Sequence, residues 1–381
     1  MENTIYLDHA ATSPVAPEVI EVMARAMADE SGNASSIHTV GRQARKALDE
    51  ARATLAKKIN AKATEIIFTS GGTEADNTAI FGTAYARQKE GKHIITTQIE
   101  HHAVLHACEK LQREGFEVTY LPVDETGRVA VSDVEKALRD DTILVTIMFG
   151  NNEVGTIQPI AQIGELLKAH SATFHTDAVQ AFGLKEIDVE AMHIDLLSVS
   201  AHKINGPKGI GFLYAKTGVK LANFMYGGSQ EKKRRAGTEN VPAAIAFAKA
   251  AELAAEHAQT KTAQYNEFKM ILIEEFQQAG LDFKINGHQQ DVLAHVFNVT
   301  FAGTDVESFL INLDMAGVLV SSGSACTAGS IDPSHVLVAM FGEQAPELRS
   351  SIRFSFGLGL TNEQIREAGK RTAVIVKRLT Q

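Results

Sequence analysis

Lys203 closes the stretch Ser200-Ala201-His202-Lys203, directly after the apolar run Asp195 to Ser200 and shortly before Gly206-Pro207-Lys208-Gly209. A lysine at the end of a buried strand is partly desolvated, which lowers the pKa of its amine and makes it a better nucleophile toward an aldehyde. A snorkelling surface lysine fits the same local pattern. Two further groups bear on the choice. Ser70-Gly71-Gly72-Thr73-Glu74-Ala75 joins an apolar run to a helical one. Its glycines would let the backbone approach an anion, and the first-turn N–H groups would bind a phosphate, although a plain capping turn reads alike. Asp177 and Gln180 follow another segment that reads as a buried strand, in His175-Thr176-Asp177-Ala178-Val179-Gln180. An acid there either points into the crevice of an α/β sheet or caps a helix. A phosphate cradle, a strand-end acid and a strand-end lysine together form the set that pyridoxal phosphate requires. The acid partners the pyridine nitrogen, and the lysine forms the Schiff base.

Other reactive side chains are less decided by their surroundings. His101 and His102 open a helix after an apolar run. Neighbouring helical histidines point apart and no carboxylate stands at ligand spacing, so the pair argues for one imidazole acting as acid or base, or stacked on a ring, and against zinc. Arg353, in Ser351-Ile352-Arg353-Phe354-Ser355, lies on an expected strand, where its fork could clamp a carboxylate or close a structural ion pair. The two cysteines differ. Cys108 shares a helical face with Val104 and Leu111 and reads as a buried small hydrophobe, whereas Cys326 lies in Ser321-Ser322-Gly323-Ser324-Ala325-Cys326-Thr327-Ala328-Gly329-Ser330, with nothing bulky to bury it. A reactive thiol needs such exposure.

The elements that must hold these residues alternate. Residues 65–70, 93–97, 142–149, 173–178, 195–200 and 210–215 read as buried strands, with helical patterns over 73–89, 101–114 and 159–170. That alternation implies a mostly parallel α/β sheet with right-handed crossovers. Beyond Gly237 the expectation is an Ala-rich helix over 241–257, a polar hinge, a second helix to Gln278, a strand over 296–301, a helix over 305–315, the cysteine loop, a strand over 351–356 and a closing helix from Asn362. The N-terminal strand Ile5-Tyr6-Leu7-Asp8 is expected to join this α+β module or the junction. The division is thus 15–257 for a large α/β domain, and 1–14 with 258–381 for a small α+β domain, in keeping with a 381-residue chain. A net charge of −9 argues against nucleic acid as the main partner, and Lys232 to Arg235 form the one compact basic run, read as a solvated loop. No apolar stretch is long enough to span a membrane, no signal peptide leads the chain, and two cysteines make no disulfide framework, so a cytoplasmic protein is expected.

Taken together, the motifs resemble the cysteine desulfurases, fold-type I pyridoxal-phosphate enzymes related to class V aminotransferases, over essentially the whole chain. The resemblance is carried by Tyr6-Leu7-Asp8-His9-Ala10-Ala11-Thr12, by Gly32 to His38, by Thr69 to Asn77 and by Asn151-Asn152-Glu153-Val154-Gly155-Thr156. It continues through Ser200 to Lys203, Arg235-Ala236-Gly237-Thr238, Ser322 to Cys326 and Ser351 to Ser355. It implies a large domain with a mostly parallel seven-stranded sheet and a smaller α+β domain, and the cysteine loop is similar to that of the first subgroup, long and mobile. It also implies roles. Lys203 would be the Schiff-base lysine, and Gly72, Thr73, Ser200 and His202 would hold the phosphate, with Thr238 reaching across from a second subunit of a homodimer. Asp177 would keep the ring nitrogen protonated, Gln180 would bond the ring hydroxyl, and His101 would stack on the ring and handle the thiol proton. Asn152 and Arg353 would bind the carboxylate of L-cysteine. Cys326 would take the sulfur as a persulfide, leaving L-alanine, and pass it on for iron–sulfur cluster assembly or tRNA thiolation.

The chain ends at Leu379-Thr380-Gln381, right after the last helical pattern, without the further segment that often helps this subgroup dock an iron–sulfur scaffold. A tRNA-thiolating acceptor is therefore an equal expectation. A selenocysteine lyase or an aminotransferase on the same fold is the nearest alternative, although an aminotransferase has no use for Cys326. A non-catalytic sulfur-assembly protein is the alternative of another class.

Overall fold

Short β-branched and aromatic runs build the central sheet of the computed structural model, which describes residues 4–322 and 333–381. After a two-residue strand, β1 (Ile5–Tyr6), come β2 (Ile66–Thr69), β3 (His93–Thr97), β4 (Glu117–Leu121), β5 (Thr142–Thr146), β6 (Thr173–Asp177), β7 (Leu196–Ser200) and β8 (Gly211–Ala215). The last seven form one sheet in the order β2-β8-β7-β6-β5-β3-β4. From β7 to β4 the neighbours run parallel, and β8 is antiparallel to both strands beside it. Parallel strands need crossovers, and helices such as Gly72–Arg87, His102–Arg113 and Ile160–Leu167 supply them while covering the sheet. Six of the strands are buried along their whole length, polar residues such as His93 and His175 included. β4 stands at the edge with Glu117 exposed and Val118 to Tyr120 half-buried. It has no unbroken apolar run, and reading by such runs passes over it.

The C-terminal module holds β9 (Phe283–Asn286), β10 (Val296–Phe301), β11 (Val318–Leu319) and β12 (Ser351–Ser355). The order β12-β10-β9 makes an antiparallel sheet, and β1 adds to this module by pairing with β11. Ile5 and Leu7 accordingly pack in its core, with Phe268, Phe276, Phe301 and Phe354.

The expected hinge after His257 does not exist. Val241–Gln278 is one helix of 38 residues. The stretch Ala258-Gln259-Thr260-Lys261-Thr262 is polar but contains neither Gly nor Pro, and the Thr262 hydroxyl bonds back to the Ala258 carbonyl at 2.8 Å, so nothing breaks the ladder. Polarity there marks a change of partner: residues up to Ala254 pack in the core of the central sheet, and those from Tyr265 pack in the core of the C-terminal module.

The basic run also departs from a solvated loop. Lys232 and Lys233 are exposed, but Arg235 pairs with Glu74 at 2.8 Å and Arg234 bonds the Thr64 carbonyl at 3.0 Å. Glu231 is the cause: it is buried in a two-pronged pair with Arg52, at 2.6 and 2.7 Å, and draws the run inward. Cys108 is wholly buried among Ile80, Val104 and Leu111, and burial pushes its thiol pKa up.

Candidate active site

A cavity of about 380 Å³ opens where β2, β3, β5, β6 and β7 end. Its size falls within the roughly 300–1,000 Å³ of small-molecule sites, at the strand rim where α/β sheets bind ligands. Gly72, Thr73, His101, Asn152, Asp177, Gln180, Ser200, His202, Lys203 and Arg353 all line it, so most of the residues singled out in the sequence converge.

Lys203 ends the single turn of 3₁₀ helix that follows β7. Its Nζ donates to the carbonyls of Ala10 at 2.5 Å and Ala11 at 2.8 Å, which brings the N-terminal segment over the rim. Burial first, and then Arg353, lower its pKa to about 8, against the pull of Asp177 and Asp8. At pH 7.5 an amine with that pKa is about one-quarter unprotonated, against about a thousandth for an ordinary lysine.

The Gly72–Arg87 helix begins at the same rim, capped by Gly71 without any side-chain bond. Its first-turn N–H groups are therefore left to a ligand. Gly71 has φ +155, a conformation that favours glycine, and a Cβ on Gly72 would lie 2.8 Å from Val179. The one carboxylate in this turn, Glu74, is neutralised by Arg235 and by the Ser70 N–H. Thr73, Ser200 and His202 add side chains around the turn. Burial and Lys203 lower the His202 pKa to about 4, so its imidazole is neutral. The place suits a phosphate.

Asp177, the last residue of β6, takes the Val179 N–H at 2.9 Å and has no cation in direct contact among the described residues. Burial lifts its carboxyl pKa above the usual range, and does the same for Asp76 nearby. A buried acid held this way is short of a positive partner, which a protonated ring nitrogen would supply. His101 caps the His102–Arg113 helix through the Ala103 N–H at 3.1 Å. Burial and then Lys203 lower its pKa to about 4, leaving it a neutral ring on the cavity wall. Arg353 is 4% exposed; it bonds Asp8 at 2.8 Å and the Asn152 carbonyl at 2.9 Å. It thus closes an ion pair while each terminal nitrogen keeps a second hydrogen at the cavity wall. Anion cradle, neutralisable acid and depressed lysine fit the phosphate, ring nitrogen and aldehyde of pyridoxal phosphate.

Two further residues of the expected set stand apart from this list. Thr238 is exposed and does not line the cavity. Cys326 lies outside the described residues, five positions after Ser321, which does line it. Conversely, Ala10, Ala11, Met148 and Asp76 line the cavity without having been singled out. Asp76 could have been found: it lies one helical turn beyond Gly72 and so shares its face. It is 1% exposed, its Oδ1 has no partner, and it stands 3.7 Å from Nε2 of the buried His175.

The aminotransferase class-V family model matches residues 5–367. A putative cysteine desulfurase IscS 1 of Bacillus subtilis (strain 168) is 61% identical over 99% of this chain and 99% of its own. A cysteine desulfurase IscS of Clostridium botulinum is 47% identical over 96% of this chain and 92% of its own. Among solved structures, a NifS-like protein superposes with a TM-score of 0.92 at 33% identity, covering 98% of this chain and all of the other. A structure of SspA in complex with cysteine gives 0.82 at 39% identity, over 93% and 99%.

Proposed function

The chain belongs to the class-V aminotransferase family as a pyridoxal-phosphate-dependent cysteine desulfurase, and from that premise we propose how its own residues divide the removal of sulfur from L-cysteine. When bound, pyridoxal phosphate supplies an electron sink beside the substrate Cα. Lys203 would hold the cofactor through its aldehyde and would serve as the base for the substrate Cα proton, a task suited to an amine with a pKa of about 8. Asp177 would hold the proton on the ring nitrogen, and Gln180 would bond the ring oxygen. Gly72, Thr73, Ser200 and His202 hold the phosphate. Neutral His101 would lie against the ring and receive the substrate thiol proton. Arg353 and Asn152 orient the α-carboxylate. The Cys326 thiolate then attacks the substrate sulfur: an S–S bond forms as the C–S bond breaks, its electrons stay with carbon, and the carbon skeleton leaves as alanine after protonation.

The observation that carries this reading is the convergence of Lys203, Asp177 and an uncapped helix N-terminus on one cavity. A homodimer is part of the proposal, with Thr238 serving the other subunit's phosphate. In support, Ile37 and Tyr226 are 90% and 82% exposed, and Arg45 ties the Ala34 carbonyl to Glu239, joining the segments that carry Ile37 and Thr238. The sulfur acceptor would be a protein of iron–sulfur assembly or tRNA thiolation, and the setting cytoplasmic. No helix among the described residues is long and apolar enough to cross a membrane.

The test is chemical. With L-cysteine and a thiol reductant, the purified yellow protein should release alanine and sulfide in equal amounts. Cys326→Ser should stay yellow and release neither at an appreciable rate. Sulfide release at the normal rate by that variant would remove Cys326 from the mechanism, and a colourless wild-type protein that takes up no pyridoxal phosphate would sink the whole reading.

A further inference from the structure

His295 sits in the turn before β10, far along the chain from the rest of the site. It is 7% exposed, and its Nε2 lies 2.9 Å from Gln180 Oε1. Gln180 Nε2 lies 3.0 Å from the Ala10 carbonyl, which also accepts from Lys203 Nζ at 2.5 Å. What each atom can do dictates the proton positions. A carbonyl only accepts, so the Gln180 atom facing Ala10 is the amide nitrogen; Oε1 then faces His295, and Nε2 of His295 carries the ring proton. Nδ1 is left as a bare lone pair, buried and without a partner. A proton added there would have nothing to bond. Burial, with Lys269, Lys203, Arg353 and His9 around the ring, pushes the His295 pKa down to about 3. The imidazole therefore stays neutral through the physiological range, and the chain of hydrogen bonds keeps its direction.

We propose that His295 is a positioning residue: by donating to Gln180 it locks that amide with its nitrogen toward the Ala10 carbonyl, and so fixes the polarity around Lys203. A flipped amide would set two acceptors 3.0 Å apart with no proton between them. It would also set the amide oxygen beside the carbonyl that accepts from Nζ, which favours the charged form of Lys203. The other groups facing Lys203 are Arg353, Asp177, Asp8, His101 and His202. None of them is replaced in a His295 variant, so a change at Lys203 in a variant of unchanged fold reports on this chain of bonds. The inference rests on Lys203 carrying the cofactor.

The experiment is a pH titration of the visible absorption of the holoenzyme. His295→Leu should raise the midpoint of the lysine-bound cofactor band by roughly half a unit or more. His295→Gln, whose amide reaches the position of Nε2 and can donate to Gln180, should restore the wild-type midpoint. A folded, cofactor-loaded leucine variant with an unmoved midpoint would overturn the proposal, as would a glutamine variant that shifts as far as leucine. Should the leucine variant fail to fold, His295→Asn, too short to reach Gln180, takes its place under the same criteria. Ring-¹⁵N spectra of the apoprotein give a readout that needs no cofactor: His295 should be the Nε2–H tautomer, and an Nδ1–H tautomer would contradict the proposal. A wild-type protein without any cofactor band would instead count against the functional reading.

Discussion

The two ends of the cavity handle charge differently. At the proposed cofactor end, half-buried Lys203 and buried Asp177 lack a full counter-charge, and desolvation drives both toward their neutral forms. At the proposed substrate end, Arg353 is buried and already paired with Asp8. An undercompensated site gains free energy when a ligand brings the missing charges, here a ring N–H⁺ and a phosphate. A compensated one can only exchange or share partners. On the proposed roles, the cofactor end would therefore hold a ligand tightly, and the substrate end would hold one briefly.

That contrast can be broken from the cofactor end first. Lys203→Ala should lower alanine formation by about four orders of magnitude, the loss of both nucleophile and base, while the phosphate cradle still binds cofactor. Stopped-flow or end-point alanine assays would read it. Asp177→Asn removes the carboxylate that should hold the ring proton, and should cost about a hundredfold or more in kcat with a changed cofactor spectrum. An unchanged spectrum would detach Asp177 from the ring. Beneath this end, His175 is wholly buried with its pKa lowered to about 3. The unfolded chain binds a proton on this group below about pH 6.5 and the folded chain does not, so stability is present above that pH and is lost as pH falls toward 3. Urea unfolding of the apoprotein should show about 2 kcal/mol less stability from this group at pH 5 than at pH 7, a slope that His175→Asn should flatten. The substrate end should respond least. Arg353→Lys keeps the charge but loses the fork, and should raise KM for cysteine about tenfold with little change in kcat, as expected of uniform binding. A kcat loss equal to the KM change would mean that Arg353 acts in the reaction itself.

How much of this was legible in the sequence depended on which part of the chain supplied the residue. Lys203, Asp177 and Gly72 end or follow segments that read as buried strands, and an α/β sheet brings such ends to one rim; their convergence could be read from local pattern. Cys108 was legible for the same local reason, its helical face. β4 was not, because an edge strand alternates, and the hinge after His257 was misread because polar residues in a helix mark a solvent-facing stretch as readily as a break. Ala10, Ala11 and His295 lie beyond local pattern altogether. They reach Lys203 only because β1 and β10 belong to the second module and that module closes over the rim. Arg353 shows the limit of reasoning from residue type: clamp and ion pair were both open in the sequence, and the fold forms the ion pair at the cavity wall, so the two are compatible.

Borohydride reduction of the purified holoenzyme followed by peptide mass mapping tests the central claim most directly, because it fixes the cofactor to whichever lysine holds it. The expected result is a single pyridoxyl-phosphate adduct on Lys203, absent from Lys203→Ala. An adduct on another lysine, or none in a protein that still converts cysteine to alanine, would contradict the assignment of Lys203 and the division of charge built on it.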